Sequence, residues 1–138
     1  MIILDTNVLS ALMRNVPDKN VVAWLDQQPQ SSIWTTSITI LEIHVGLQIM
    51  PSGKERTELS EEFERLVDSI DHRIAVLDEE AARLAANLTA HRQKKGRAGE
   101  LRDTMIAGIV IARHATLATR NITHFADISA TVVNPWVA

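Results

Sequence analysis

The chain has 138 residues, with 14 Lys and Arg against 17 Asp and Glu, a net charge of −3, 46% apolar residues and no cysteine. That is apolar material for the core of one domain spanning residues 1–138. The lack of thiols excludes disulfide frameworks, zinc ribbons and cysteine catalysis, and fits a reducing cytoplasm. Two Phe, three Trp and no Tyr disfavour a reader of bases built on aromatic platforms.

Ile2 to Leu4 is a short apolar run that predicts a buried strand, and Asp5-Thr6-Asn7 after it is turn and helix-cap chemistry. Leu9, Leu12 and Met13 then form a helical face, broken at Asn15-Val16-Pro17-Asp18. Val21, Val22 and Leu25 carry a second helix as far as Pro29, and Ser32 to Thr36 reads as a strand. In Ser37 to Met50 the apolar residues alternate like a strand. Length and the Thr39-Ile40-Leu41-Glu42 capping-box spacing favour a helix instead. From residue 54, Leu59, Phe63, Leu66, Val67 and Ile70 share one helical face.

Arg73 to Leu77 predicts a strand, and Asp78 an N-cap for a helix that stops near Lys94-Lys95-Gly96. Gly96 to Gly99 reads as a flexible loop. A further helix starts at Asp103 and carries Ile106, Ile109 and Val110. Thr116–Thr119 and Thr131–Val133 are strands on either side of Asn121 to Asp127. Alternating strands and helices predict an α/β fold with a mostly parallel central sheet, flanked by helices on both faces. No apolar stretch approaches the roughly 20 residues of a spanning helix. The N-terminus has no basic region before its apolar run, so neither a leader nor a membrane anchor is expected.

Ligands in such sheets sit at the carboxyl ends of the strands. Asp5 and Asn121 fall there, while Asp103 and Glu42 begin or lie early in helices. Each also has a plain structural reading: Asp5 and Asp103 as N-caps, Glu42 as the acid of a capping box, Asn121 as a turn residue. The run Arg92, Lys94, Lys95, Arg97, with Arg102, either contacts phosphates or complements helix ends. His44, His72, His91, His114 and His124 lack zinc-site spacing, and the three Trp residues read as core or interface.

Spacing alone cannot bring Asp5, Glu42 and Asp103 together. However, Asp5-Thr6-Asn7 after a strand, Thr39-x-x-Glu42, Asp103-x-x-Ile106-Ala107 and Ala118-Thr119-Arg120-Asn121 occur in the order found in PIN domains. Over nearly its whole length the sequence resembles VapC-type toxins of the FitB-like branch, down to the final Val133-Asn134-Pro135-Trp136. The resemblance implies a PIN-like fold and a Mg²⁺- or Mn²⁺-dependent ribonuclease. It also implies a homodimer and a cognate VapB-type antitoxin. By position, Asp5, Glu42 and Asp103 match the family's metal-binding acids. Asn121 falls where the family carries Asp or Asn, and Thr6, Asn7 and Thr119 match its supporting polar positions. One departure stands out: His124 occupies a place where many relatives are acidic, leaving Asp127 as the nearest carboxylate and a second metal without its usual ligand.

Two other readings compete. One is a catalytically silent PIN-fold module that binds protein or RNA. The other, a phosphoacceptor receiver domain, is set aside because there is one early Asp and no Lys on a predicted strand. Residues 55–80 hold 10 acidic and 3 basic residues. The net charge is therefore −7 in that region and +4 over the rest, so global acidity does not exclude an RNA partner.

Overall fold

The computed structural model describes residues 1–97 and 99–138. Five parallel strands form one sheet: β1 (Ile2–Leu4), β2 (Ile33–Thr36), β3 (Ile74–Ala75), β4 (Thr116–Ala118) and β5 (Val132–Val133), in the order β3-β2-β1-β4-β5. Among the described residues six helices surround it: α1 (Thr6–Leu12), α2 (Lys19–Asp26), α3 (Ser37–Ile49), α4 (Lys54–Ser69), α5 (Glu79–Lys94) and α6 (Leu101–Ala112). The expected doubly covered α/β architecture is the one observed.

The strand residues show why two faces are covered. Leu4, Ile33 and Ala118 point into one core with Val8, Val21, Ile43, Leu47, Phe63 and Val67 from α1 to α4. Their neighbours Ile3 and Leu117 point into the other, with Ala81 of α5 and Ile106, Ile109 and Val110 of α6. Alternate side chains leave a strand on opposite faces, so a continuously apolar strand requires helices on both sides.

Local chemistry sets most element ends as expected. Asp18 and Asp78 cap α2 and α5 by accepting backbone N–H groups. Gly96, at φ +69°, follows α5 in the left-handed conformation, with the Arg97 N–H closing onto the Arg92 carbonyl at 2.8 Å. Four expectations need correction. β3 spans two residues rather than Arg73 to Leu77, because its partner β2 ends at Thr36, where α3 begins. β4 and β5 stop one residue short of the predicted ranges, at Ala118 and from Val132. The cap of α3 is Thr36, whose hydroxyl accepts the Thr39 N–H at 3.1 Å, so Glu42 lies in the helix body and caps nothing. Finally, α6 begins at Leu101, placing Asp103 inside its first turn with its carboxylate free of capping duty. The loop expected at 96–99 includes Ala98, which lies outside the described residues.

The chain runs outward from β1 in both directions, to β2 and β3 on one side and to β4 and β5 on the other. The gap between the carboxyl ends of β1 and β4 is thus the switch point at which an open parallel sheet leaves a crevice.

Candidate active site

Asp5 follows β1 directly and lies in that crevice, 4% exposed. Its backbone N–H extends the sheet ladder to the Ala118 carbonyl at 2.9 Å, which locks the residue in place. One carboxylate oxygen accepts the Thr6 N–H at 2.8 Å, the cap bond of α1. The other accepts the Thr119 hydroxyl at 2.7 Å and a long contact from the Asn7 amide at 3.4 Å. Asp5 is therefore both the cap that the plain reading expected and a buried acid with a fixed orientation.

Thr119 closes the other wall. Its N–H reaches the Val133 carbonyl at 2.9 Å, and its hydroxyl oxygen accepts the Asn121 N–H at 3.0 Å and the Asn7 amide at 3.3 Å. Asn121 is fastened through its backbone, whereas its side chain is exposed and makes no hydrogen bond among the described residues.

Glu42 arrives from α3. Thr6 donates to its Oε1 at 2.8 Å, and since that hydroxyl proton is then used, Thr39 donates to Thr6 at 3.0 Å and Thr36 to Thr39 at 3.3 Å. This buried threonine relay was not readable as a functional unit. Its only local trace is the spacing Thr36-x-x-Thr39 where a strand turns into a helix. Asp103 arrives from α6 and faces His124 Nδ1 at 3.2 Å.

Asp5 feels its two acidic neighbours. Burial pushes the Asp5 carboxyl above its ordinary pKa, and the negative charges of Asp103 and Glu42 push it further, against the bonds from Thr119 and Thr6. Clustered carboxylates in this state are relieved by protonation or by a cation. The groups around Asp5 donate hydrogen bonds from N–H and O–H, and the acids themselves offer carboxylate oxygen, the ligand that a hard ion such as Mg²⁺ or Mn²⁺ takes. Among the described residues no three His, Cys, Asp or Glu side chains are grouped tightly enough to enclose an ion alone. Glu42 Oε2 faces Arg102 at 3.6 Å, and Asp103 faces His124. An ion held by one or two carboxylates, waters and phosphate needs no closed cage, so the residues fit such a group.

Of the expected phosphate contacts, Arg92 must be withdrawn. It is 5% exposed; its guanidinium grips Asp127 through two bonds, at 2.7 and 3.0 Å, and the His124 carbonyl at 2.6 Å. This guanidinium holds the Asp127 carboxyl below its usual range, so Asp127 is no substitute for a fourth metal-binding acid either. Arg102 is divided between Glu42 and Glu100. Lys94, Lys95 and Arg97 are exposed at the end of α5.

A cleft of about 540 Å³ between α1, α3 and α4 opens beside Thr6 and Glu42. Its apolar floor includes Met13, Ile43, Leu47 and Leu59, and Glu55, Glu58 and Glu62 form an acidic rim. No helix among the described residues is long and apolar enough to cross a membrane.

Comparison with known proteins agrees with this geometry. The PIN domain profile matches residues 2–130. Over the full length of both chains, the sequence is 35% identical to the plasmid stability protein StbB of Pseudomonas syringae pv. tomato. It is 34% identical to the VapC ribonuclease Y4jK of Sinorhizobium fredii, covering 99% of this chain and 98% of the relative. Identity to the toxin FitB of Neisseria gonorrhoeae is 32%, with 99% of each chain covered. The crystal structure of FitAcB from Neisseria gonorrhoeae superposes with a TM-score of 0.89 at 32% identity, covering 100% of both chains. The chain thus belongs to the PIN domain family, in the branch that contains the VapC and FitB proteins.

Proposed function

We propose that the protein is a Mg²⁺- or Mn²⁺-dependent endoribonuclease, built on one domain over 1–138, and that it acts in the cytoplasm as the toxin of a type II toxin–antitoxin pair. The observation that carries this reading is the convergence of Asp5, Glu42 and Asp103 at the switch point, with Asp5 raised by burial and by its two acidic neighbours. Asp5 and Asp103 are the principal metal-holding groups, directly or through water. A divalent ion bound there would activate water and stabilise the charge that develops at phosphorus. Glu42, aimed by the Thr36–Thr39–Thr6 relay, binds the metal or orients the attacking water. Asn121 positions that water. Thr119, Asn7 and the Thr6 N–H keep Asp5 immobile, so little reorganisation accompanies the chemical step.

The antitoxin part of the reading is supported by the relatives and by the cleft at α1, α3 and α4. An apolar floor with an acidic rim suits a basic amphipathic segment that reaches Glu42. Exposed Leu41, Val45 and Ile49 recur every four residues on α3 and suit the homodimer. Retention of the three acids, with Asp5 and Glu42 held by hydrogen bonds from Thr119 and Thr6, favours an active nuclease over a silent module.

The test is cleavage of single-stranded RNA by purified, antitoxin-free protein. Activity is expected with Mg²⁺ or Mn²⁺, none in EDTA, and a loss of about 10²-fold or more in Asp5→Asn and Asp103→Asn. Equal cleavage in EDTA, or undiminished activity in both variants, would sink the proposal.

A further inference from the structure

A second cavity, of about 590 Å³, adjoins the carboxylate site and is lined by Asn7, Ser10, Arg14, Asp18, Arg120 and Trp136. Asn7 is the shared wall. Its amide nitrogen faces Asp5 and Thr119, and its Oδ1 accepts the Arg120 N–H at 3.2 Å. The cavity therefore begins one side chain away from the buried acid.

Its charge is positive and available. Arg14 and Arg120 are exposed, and neither forms an ion pair among the described residues. The one lining carboxylate, Asp18, accepts the N–H groups of Asn20 and Val21 at the start of α2. On the opposite side of the site Arg92 and Arg102 are already paired. Two unpaired cations thus line this cavity beside Asn7, outside the basic run between residues 92 and 102, of which Arg97 lines a separate cavity with Asp103.

The aromatic ring orders one of them. The Arg120 guanidinium lies 4.9 Å from the centroid of the Trp136 indole. Trp136 is itself tethered, its N–H to Asn134 Oδ1 and its carbonyl to Asn20 Nδ2, both at 2.9 Å, and it packs partly against the α1–α4 core. A guanidinium stacked on a ring keeps its N–H edges in plane and open to a second partner, the arrangement that suits a phosphate. A trio of carboxylates repels an RNA backbone, so cations beside it are needed to draw the strand in.

We propose that this cavity is a phosphate subsite for the single-stranded RNA substrate, in which Arg14 and Arg120 hold a phosphate flanking the scissile one and Trp136 orients Arg120 by stacking. The proposal rests on the ribonuclease reading above and adds to it the direction in which the strand leaves the carboxylates.

The experiment is binding of a fluorescently labelled single-stranded oligoribonucleotide in EDTA, followed by anisotropy across a salt series, with cleavage in Mg²⁺ measured in parallel. Arg14→Gln and Arg120→Gln are each expected to weaken binding about tenfold. Each should also lower the slope of log K against log salt by about 0.7, the signature of one lost phosphate contact on a single strand. Arg120→Lys keeps the charge and the slope but loses the stacked geometry, so its affinity falls between the two. A merely structural role would shift thermal stability without moving the slope, and unfolding midpoints read that directly. Because Arg14 is exposed, its variant remains informative even if a change at Arg120 disturbs the terminal segment. Wild-type affinity and slope in both Gln variants, alongside normal cleavage by the wild type, overturn the subsite and leave the nuclease reading intact. A wild type that neither binds nor cuts RNA overturns both.

Discussion

Arg92 illustrates how burial redefines a charge. In the sequence it is one of a run of cations; in the fold it is a buried guanidinium joining α5 to the 3₁₀ turn Ile122–Phe125 through Asp127 and the His124 carbonyl. That turn presents His124 to Asp103, so Arg92 acts on the site from behind, through position. Truncating one partner of a buried pair strands the other, and Arg92→Ala is expected to destabilise by about 3 kcal/mol, readable in chemical denaturation. The pair also has a definite pH dependence. Asp127 is held below its ordinary pKa by Arg92. Its contribution is therefore complete above the unfolded value of about 4 and is lost as pH falls through the lower folded value. The gap in unfolding midpoint between wild type and Asp127→Asn should be constant from pH 7 to about 5 and shrink below 4. A gap that widens in acid would show that Arg92 is not the cause.

Among the described elements, α5 and α6 share the most extensive contact, and Gly108 lets them approach closely. A Cβ at this position would meet the Ala81 carbonyl oxygen at 2.3 Å and Ala85 at 2.9 Å. Alanine is the better helix former by about 1 kcal/mol, yet here it would wedge the two helices apart. Gly108→Ala is expected to cost a net 1–3 kcal/mol. Because α6 carries Asp103, the same change should weaken RNA cleavage beyond what the remaining folded fraction explains. A stabilised or neutral variant would mean that the helices yield cheaply. The alanine-rich stripe of α5 hints at close packing, but a lone glycine inside an apolar helix does not reveal its neighbour. Helix ends were easier to read. Asp18, Asp78 and Gly96 act through backbone groups within a few residues, whereas Thr36 and Thr39 offer the same capping chemistry three residues apart, and local pattern does not choose between them.

For the molecule as a whole, the sheet order places repelling carboxylates at the switch point, and that repulsion is a cost which a bound cation offsets. Mn²⁺ or Mg²⁺ at 100 times its dissociation constant should add about 2.7 kcal/mol, a rise of several degrees in unfolding midpoint relative to EDTA. Asp103→Asn should lose most of that rise. The rise should also fade in mild acid, as protons compete for Asp5, whose carboxyl burial holds above its ordinary pKa. Identical midpoints in EDTA and Mn²⁺ would contradict a cation site. Charge is likewise a whole-molecule property: the acids of α4 rim the cleft at α1 and α3, while unpaired cations gather around Asn7 and Trp136.

The sequence by itself determined the order of strands and helices and the side chains that two buried faces require, because periodicity, caps and turn residues act over a few positions. It also held the four short motifs that mark the family. What it left open was every pairing between distant segments. That Thr6 serves Glu42, that Thr119 serves Asp5, and that Arg92 is spent on Asp127 while Arg14 and Arg120 remain available all depend on β1 lying between β2 and β4 and on α5 packing against α6. The tertiary structure decided these, since a side chain's partner is set by the register of the sheet and the seating of the helices, which no local pattern encodes.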